Sequence, residues 1–425
     1  MTLNGHTPTA SLAIAKTNGF HGTAHAPKKR TLCFIVDVKN WAFDNIAKNI
    51  SKYLCADFDI TTLYITDFED EPSLLKRVFL GETEWDIVHF LWHPLLSSLF
   101  EARQFYQVSK DLSEMERRYL ISRIASTCKT TAIYDHKYLS DNEHDAMQIS
   151  TLNLCDGYSV SSARLDKHYR ANPNLSDPLG ILSDGVDLER FRPRDLDVGS
   201  SDRPVKVGWA GNSSWDSSLV DHKGLHSIVK PLIQQFIDEG VRVEGDFCDR
   251  AVQWRPAEKM PEYYRSIDLY VCASLNEGTP NPVLESMASG VPVLTTDVGI
   301  VKEVFGPLQK QFVVADRTSE EFGEKFRLLV SDSNLRRRLA EENLVSVKEC
   351  SWEKRAQDWL EFFNSALEQK RTSSQTKFQL NALFHAFDAG RLHFTAISRP
   401  PATPKKIKTV PHFLFFKVKR WISRE

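Results

Sequence analysis

Two series of apolar strands and amphipathic helices, joined by a polar linker, constrain the fold of this chain more than any other feature. In the first series, the apolar runs Leu32–Val38 and Asp86–Trp92 are each followed by a helical pattern. The second series begins at Val205 and repeats the alternation. Strands that alternate with helices build parallel sheets covered on both faces. The sequence therefore predicts an α/β fold class with two doubly wound domains.

The same patterns set the domain bounds. Residues 1–29 lack periodicity and are predicted to be a disordered leader. A helical pattern over 101–127 predicts a long helical region in the first domain. The remaining predicted divisions are an amino-terminal Rossmann-like domain at 30–190, a linker at 191–204, a carboxyl-terminal Rossmann-like domain at 205–350, a helix that crosses back to the first domain at 351–372, and a basic aromatic tail at 373–425.

Charge is balanced over the whole chain but not along it. The 54 basic and 56 acidic residues give a formal net charge of −2, which argues against a protein that coats nucleic acid. From Lys370 onward, however, twelve basic residues outnumber two acidic ones. Within 400–425 these bases alternate with aromatic and aliphatic residues, a composition typical of segments that bind anionic lipid. We therefore expect an anionic membrane surface, and no nucleic acid, among the partners.

Cysteine usage and hydropathy predict where the protein acts. The seven cysteines are scattered, with no CxxC pair, which is typical of reduced thiols in a cytosolic protein. The apolar stretch at 10–15 is shorter than the core of a secretion signal, and no run approaches the length of a membrane span. We expect a cytoplasmic protein that can associate peripherally with the inner face of a membrane.

The stretch from Ser274 to Val293 carries the clearest chemical signal. Glu277 lies in a loop after a predicted strand, and Glu285 follows seven residues further on, inside a predicted helix. Asn281 is predicted to cap this helix. A helix start with unpaired backbone N–H groups is a site for a diphosphate. Glu285 is placed to accept hydrogen bonds from ribose hydroxyls, and Glu277 to reach a sugar beyond the phosphates.

Together with other motifs, this stretch resembles the GT-B glycosyltransferases of family 4. The resemblance is strongest from 205 to 363 and weakest in the amino-terminal half, which matches in layout only. It implies two Rossmann-like domains facing across a cleft and a retaining transfer from a nucleotide-diphosphate sugar to a glycan or lipid-linked acceptor in bacterial polysaccharide biosynthesis. The motifs that carry it are Val207–Asn212, Lys223–Gly224, Met260–Tyr264, Glu277–Glu285 and Asp297–Gly306.

The resemblance also implies roles for individual residues. Lys223 would neutralise the diphosphate, Glu285 would bind ribose and Glu277 would engage the donor sugar. His136 would act near the anomeric centre, as a catalytic residue with Glu277 and Lys223. The register there leaves Tyr134, Asp135, His89 and His93 open as alternatives. The donor-binding set implied by the family is Gly211, Asn212, Lys223, Gly278, Thr279, Pro280, Asn281, Val283, Leu284 and Glu285.

Two departures from the family leave parts of the site undetermined. Many members carry an Arg shortly after the Gly of the first strand, and the corresponding region here is Asn212–Trp215, so the second phosphate-binding group is Asn212 itself, Arg255 or a helix end. The Gly-Gly turn often seen after the first strand is replaced here by the segment Lys39–Asp44, which leaves the acceptor open.

No metal or cofactor is expected. The two Asp-x-Asp sequences, at 57–59 and 195–197, precede a strand and lie in the linker, respectively, and both are interpreted as solvated charges. No G-x-G-x-x-G follows a strand and no P-loop occurs. The nucleotide-diphosphate sugar is thus expected as substrate only. Two alternatives stay open: a GT-B-fold sugar epimerase or phosphorylase, and a catalytically silent binding or scaffold protein.

Overall fold

A computed structural model describes residues 29–98, 102–134, 149, 151–153, 155–193, 203–214, 220–253 and 255–372. The predicted leader at 1–28, most of the linker, and the tail at 373–425 therefore lie outside the described residues. His136 and Asp135 lie outside them as well.

The first domain is built around a five-stranded sheet of order β2-β1-β3-β4-β5 in which every pairing is parallel. Strands β3, β4 and β5 are buried along their whole length, as expected for parallel strands covered on both faces. The elements are β1 (Arg30–Val36), α1 (Ala42–Leu54), β2 (Phe58–Tyr64), α2 (Glu71–Leu80), β3 (Ile87–Phe90), α3 (His93–Ser98), α4 (Ala102–Ser109), α5 (Glu114–Ser126), β4 (Cys128–Ile133), β5 (Gly157–Val160) and α6 (Ala163–Arg170).

The second domain repeats this plan with a five-stranded parallel sheet of order β10-β9-β8-β6-β7. Its elements are β6 (Val205–Gly211), a π-helical turn (Leu225–Val229), α7 (Lys230–Asp238), β7 (Val243–Asp249), α8 (Met260–Ser266), β8 (Leu269–Cys272), α9 (Asn281–Ala288), β9 (Val293–Thr296), α10 (Val301–Val304), β10 (Val313–Val314), α11 (Ser319–Ser331) and α12 (Ser333–Ser346); the helix α13 (Trp352–Thr372) follows the domain in sequence. The two parallel sheets confirm the predicted α/β fold class.

Helix α13 completes the core of the first domain, although it follows the second domain in sequence. The rings of Trp359 and Phe363 lie 6.4 and 6.2 Å, centroid to centroid, from that of Phe34 in β1. All three side chains are almost fully buried. At the start of α13, the backbone N–H of Trp352 donates to the carbonyl of Val186, which fixes the point where the chain returns.

The long helical region predicted over 101–127 is divided in the structure. The structure has two helices, α4 and α5, separated by a turn at 110–113. Ser113 starts α5: its hydroxyl accepts from the N–H of Glu116, and the Glu116 carboxylate accepts from the N–H of Ser113. This reciprocal capping satisfies two otherwise unpaired donors and begins a new helix.

Candidate active site

The candidate site lies where the carboxyl ends of the two sheets approach each other. Gly278, in the loop after β8, is packed so closely against the Tyr134 carbonyl, after β4, that a β-carbon on Gly278 would lie 1.8 Å from that oxygen. Only glycine permits this approach of the two domains. The loop carrying Glu277 and the start of α9 therefore face the first domain.

Lys223 and Glu277 form an ion pair at this edge. The Nζ atom of Lys223 lies 2.5 Å from Oε1 of Glu277, and the two side chains are 21% and 18% exposed. They are 54 residues apart in sequence, so the fold brings them together. Lys223, the predicted cation for the diphosphate, and Glu277, the predicted carboxylate for the sugar, therefore lie in direct contact at the loop that follows β8.

The loop that carries Lys223 is tied to the end of β8 by several contacts. The N–H of Leu275 donates to the carbonyl of His222, and the indole N–H of Trp209 donates to the carbonyl of Lys223. Gly224 has a φ of 71°, and a β-carbon there would lie 2.3 Å from the Ala273 carbonyl oxygen. The tight packing therefore requires glycine directly after Lys223.

Two residues that the sequence analysis missed hold the same loop. The carboxylate of Asp221 accepts hydrogen bonds from the N–H groups of Gly224, His226 and Ser227. The Arg317 guanidinium donates at 2.7 Å to the carbonyls of both Ala273 and Asp221. No motif marks Arg317 in the sequence; only the folded chain brings it under the loop.

Glu285 sits inside the second domain in a desolvated position. Burial raises the pKa of its carboxyl group from 4.5 to about 7, while the nearby Tyr264 hydroxyl and the Arg190 charge act in the lowering direction. A carboxyl group with this pKa exists in both protonation states near neutral pH. Either state can hydrogen-bond a hydroxyl, which suits the role that the family resemblance implies for Glu285.

Asn281 does not cap α9, contrary to the prediction. Helix α9 begins at Asn281, its capping position is Pro280, and no side chain bonds the cap. The Asn281 amide instead donates to Oδ2 of Asp184 at 2.9 Å, and the hydroxyl of Thr279 accepts from the N–H of Asp184 at 3.0 Å. Tertiary partners have taken both side chains, which tie α9 to the segment that ends the first domain.

The other predicted donor-binding residues divide by what they can offer. The side chains of Val283 and Leu284 are fully buried in the core, so only their backbone groups can contact a ligand. Gly211 ends β6, and the Asn212 side-chain carbonyl accepts from the N–H of Ser214 in the turn that follows. Asn212 thus stabilises its own turn.

The three candidate histidines, His136, His89 and His93, differ in where they lie in the fold. His136 lies outside the described residues, so its role stays a prediction. His89 is fully buried within the aromatic core, its ring 5.2 Å from that of Trp359. Burial lowers the pKa of His89 from 6.5 to about 3, and its Nδ1 pairs with the Thr130 hydroxyl at 2.9 Å. His89 is thus a neutral core residue, and His93 begins α3.

Arg255 and Arg250 differ in how the fold holds them. Arg255 is paired with Asp246 at 3.5 Å and stacked over the Tyr263 ring, both in its own domain. Arg250, at the end of β7, lies with its guanidinium carbon 3.9 Å from the centre of the Trp41 ring, which belongs to the first domain. Arg250 therefore reaches across the cleft.

The described residues contain neither a cluster of metal ligands nor a membrane-spanning helix. No group of three or more His, Cys, Asp or Glu side chains there is arranged to hold a metal ion. None of the helices in the same ranges has both the length and the apolar character needed to cross a membrane.

Comparison with known proteins shows what this arrangement is similar to. The family described as glycosyl transferases group 1 matches residues 250–346. A D-inositol 3-phosphate glycosyltransferase of Corynebacterium urealyticum is 23% identical over 304 residues, 61% of this chain and 70% of that protein. The lipopolysaccharide core biosynthesis mannosyltransferase LpsB of Rhizobium meliloti is 47% identical over 61 residues, 14% of this chain and 17% of LpsB.

Solved structures show the same architecture. HepE of Anabaena, solved in complex with UDP, superposes with a TM-score of 0.58 at 14% identity, covering 79% of this chain and all of HepE. At this identity the likeness concerns the fold, and it agrees with the two parallel sheets and the contacts between their carboxyl ends. The chain therefore has the two-domain GT-B fold, and residues 250–346 of its carboxyl-terminal domain match the model of the group 1 glycosyl transferases.

Proposed function

We propose that this protein is a retaining glycosyltransferase of the hexosyltransferase type. It moves a sugar from a nucleotide-diphosphate donor to a glycan or lipid-linked acceptor in bacterial polysaccharide biosynthesis. The observation that carries the proposal is the ion pair of Lys223 with Glu277, held at the end of β8 beside the start of α9. The glycosyltransferase relatives support the reaction class, and the UDP complex of HepE supports a nucleotide donor.

The chemistry of transfer requires these groups at these places. As the glycosidic bond breaks, the departing nucleoside diphosphate gains negative charge, which a fixed cation and helix N–H groups stabilise. Lys223 supplies the cation and the backbone from Gly278 to Leu284 supplies the donors. Glu277 orients a sugar hydroxyl and Glu285 the ribose. The departing phosphate assists deprotonation of the acceptor, and the proposed site uses no metal or cofactor.

A binding survey tests the donor assignment. Calorimetric titration of the full chain with UDP, GDP, ADP and dTDP, and then with sugars of the base that binds, identifies the donor class. Lys223→Ala and Glu277→Ala should each lower turnover by about a hundredfold or more, the range seen when one charged transition-state contact is removed. Lys348→Ala and Glu341→Ala, exposed residues of the same domain, are the matched controls. Full activity of both site variants would refute the assignment.

Product analysis tests the reaction. Nuclear magnetic resonance of the product should show the anomeric configuration of the donor, and nucleoside diphosphate should accumulate only with an acceptor present. Conversion of the donor to a second nucleotide-diphosphate sugar without acceptor would favour the epimerase alternative, and transfer of the sugar to inorganic phosphate would favour the phosphorylase. Nucleotide binding without any turnover would favour the silent scaffold.

The cellular location that we propose for the protein depends on the kind of acceptor. A lipid-linked acceptor is confined to a membrane surface, so binding of that surface through 400–425 would raise the encounter rate. We therefore extend the proposal to a cytoplasmic protein that is peripheral on the inner face of the membrane. The basic and aromatic composition of the tail supports this part.

A further inference from the structure

Arg250 and Trp41 make a contact that the proposed function has not used. The guanidinium carbon of Arg250 lies 3.9 Å from the centre of the Trp41 ring, within the range of a cation–π interaction. Arg250 follows β7 in the second domain, and Trp41 precedes α1 in the first. The stack therefore joins the two walls of the cleft at the carboxyl ends of their strands.

The position of Arg250 relative to Lys223 follows from the sheet. Strand β6 lies between β8 and β7, and the N–H of Arg250 donates to the carbonyl of Gly211 at the end of β6. The Lys223 loop is bonded to the end of β8 through the Leu275 N–H. Two strand spacings, about 10 Å, separate β8 from β7, so the two long side chains flank the end of β6 and can converge on one ligand.

Arg250 is held by a ring and not by an anion. Among the residues that the structure describes, no carboxylate forms an ion pair with Arg250, whereas Arg255 pairs with Asp246. Burial lowers the pKa of Arg250, which reflects a charge partly withdrawn from water. A cation–π contact uses no N–H hydrogen bond to an anion, so it leaves the hydrogen-bonding capacity of the guanidinium available. Such a cation is suited to a bidentate bond with phosphate oxygens.

Trp41 lies in a loop that hydrogen bonds to Asp44 hold in place. Asn40, directly before it, has a φ of 59°, an uncommon conformation for a residue other than glycine. Its N–H donates at 2.6 Å to the buried carboxylate of Asp44, which also accepts from the Tyr64 hydroxyl. These bonds fix the turn that replaces the Gly-Gly of the resembling family, and they fix the ring on which Arg250 rests.

We infer that Arg250 is the second cation of the diphosphate site, opposite Lys223, and that Trp41 is a positioning residue for it. The inference rests on the proposed function, because it assigns a second contact to the diphosphate of that donor. Asn212, at the end of β6, is neutral and bonds its own turn, and Arg255 is engaged inside its domain. Arg250 therefore supplies the charge that Asn212 does not.

Calorimetric titration of the full chain tests the assignment. The probes are the tightest-binding of UDP, GDP, ADP and dTDP and the corresponding monophosphate. Arg250→Ala should weaken diphosphate binding by about tenfold or more, as expected for a lost charge-assisted bond, and monophosphate binding by clearly less. Arg250→Lys should restore part of the loss. Arg337→Ala, an exposed arginine on α12, removes the same charge and should leave both affinities within twofold of wild type.

Trp41 variants test the positioning role. Trp41→Ala should weaken diphosphate binding less than Arg250→Ala does, and Trp41→Phe, which keeps a ring, should restore it. The double variant Trp41→Ala/Arg250→Ala should bind no more weakly than Arg250→Ala alone, because Trp41 acts through Arg250. Additive losses would overturn the positioning role.

The remaining outcomes are equally distinct. Diphosphate affinity of Arg250→Ala within twofold of wild type would overturn the inference while leaving the proposed function intact. Equal losses for monophosphate and diphosphate would also overturn it, since they would indicate a contact to the nucleoside or a loss of folded structure. Failure of the wild-type chain to bind any of the four nucleotides would remove the proposed function itself, and the inference with it.

Discussion

The amide of Asn281 donates a hydrogen bond of 2.9 Å to Oδ2 of Asp184, joining the helix after the Glu277 loop to the segment that ends the first domain. Asp184 is buried, and its Oδ1 has no hydrogen-bond partner among the described residues. The buried Tyr134 hydroxyl likewise lacks one there, and its pKa is raised by burial first and by the Asp184 charge second. The protonation state of Asp184 therefore affects the stability of the folded chain.

Stability should fall as pH rises from about 4 to about 7, in part because of Asp184. Burial raises the pKa of Asp184 from 3.8 to about 7, so between these values the folded chain binds the proton more strongly than the unfolded chain does. The stabilising effect of the bound proton is lost as pH rises toward 7. Asp184→Asn should therefore raise the free energy of unfolding by about 1–3 kcal/mol at pH 8, since one pKa unit is about 1.4 kcal/mol, and by clearly less at pH 5, where the folded wild type still holds its proton.

Urea unfolding of wild type and Asp184→Asn at pH 5 and 8 measures this difference. Asp57→Asn, an exposed carboxyl of the first domain, is the control and should show the same pH dependence as wild type. A pH dependence unchanged by Asp184→Asn would contradict the prediction.

Gly278→Ala should prevent the approach of the two domains. The added β-carbon would lie 1.8 Å from the Tyr134 carbonyl oxygen, and backbone on both sides leaves little room for adjustment. We expect transfer activity to fall about a hundredfold or more, because misplaced reacting groups lose the advantage of orientation. Each domain should keep its fold, as read by circular dichroism. Gly323→Ala is the control: no atom lies within 4 Å of the added carbon, and alanine favours its helix by about 0.5–1 kcal/mol.

Arg317→Met should destabilise the Lys223 loop and weaken donor binding together. The substitution removes both donors from the carbonyls of Ala273 and Asp221, and each unsatisfied buried group costs about 1–3 kcal/mol. Urea unfolding gives the stability change, and nucleotide titration gives the affinity. Arg337→Met, on the exposed face of α12, should alter neither. Wild-type affinity in Arg317→Met would show that the loop keeps its shape without this residue.

Removal of the tail should separate membrane binding from donor binding. Deletion of 373–425 should leave nucleotide affinity within about twofold of wild type and abolish sedimentation with phosphatidylserine vesicles, because basic residues near an anionic surface contribute about 1 kcal/mol each. A full-length variant with Lys405, Lys406, Lys408, Lys417 and Lys419 changed to Gln is the second test. If the deletion variant and the lysine variant bind vesicles as well as the wild type does, the membrane assignment is wrong.

Local patterns predicted the elements and failed where distant residues decide. The apolar runs Leu32–Val38 and Asp86–Trp92 contain the strands that end at Val36 and Phe90, because strands buried on both faces are marked in the sequence by continuous apolar residues. Asn281 looked like a helix cap because capping is a local preference; Asp184, 97 residues away, took its amide. No sequence pattern reports such a partner.

A local signal was overlooked in the first domain, whereas at the site the contacts between distant residues could not be predicted. The Ser113–Glu116 capping box was present in the sequence but was missed inside a longer helical pattern. The E-x7-E spacing singled out Glu277 as a candidate, yet its ion pair with Lys223 and the support from Arg317 required the folded chain. Residue types could be predicted; contacts between loops could not.

The packing of α13 has a consequence for synthesis of the chain. Phe34 lies in the first described strand, and Trp359 and Phe363, which cover it, lie in the last described helix. The second domain has all its strands before α13 appears. The first domain in sequence therefore closes its core only after the second domain has been synthesised, and until α13 emerges its central sheet has an uncovered apolar face that chaperones can bind.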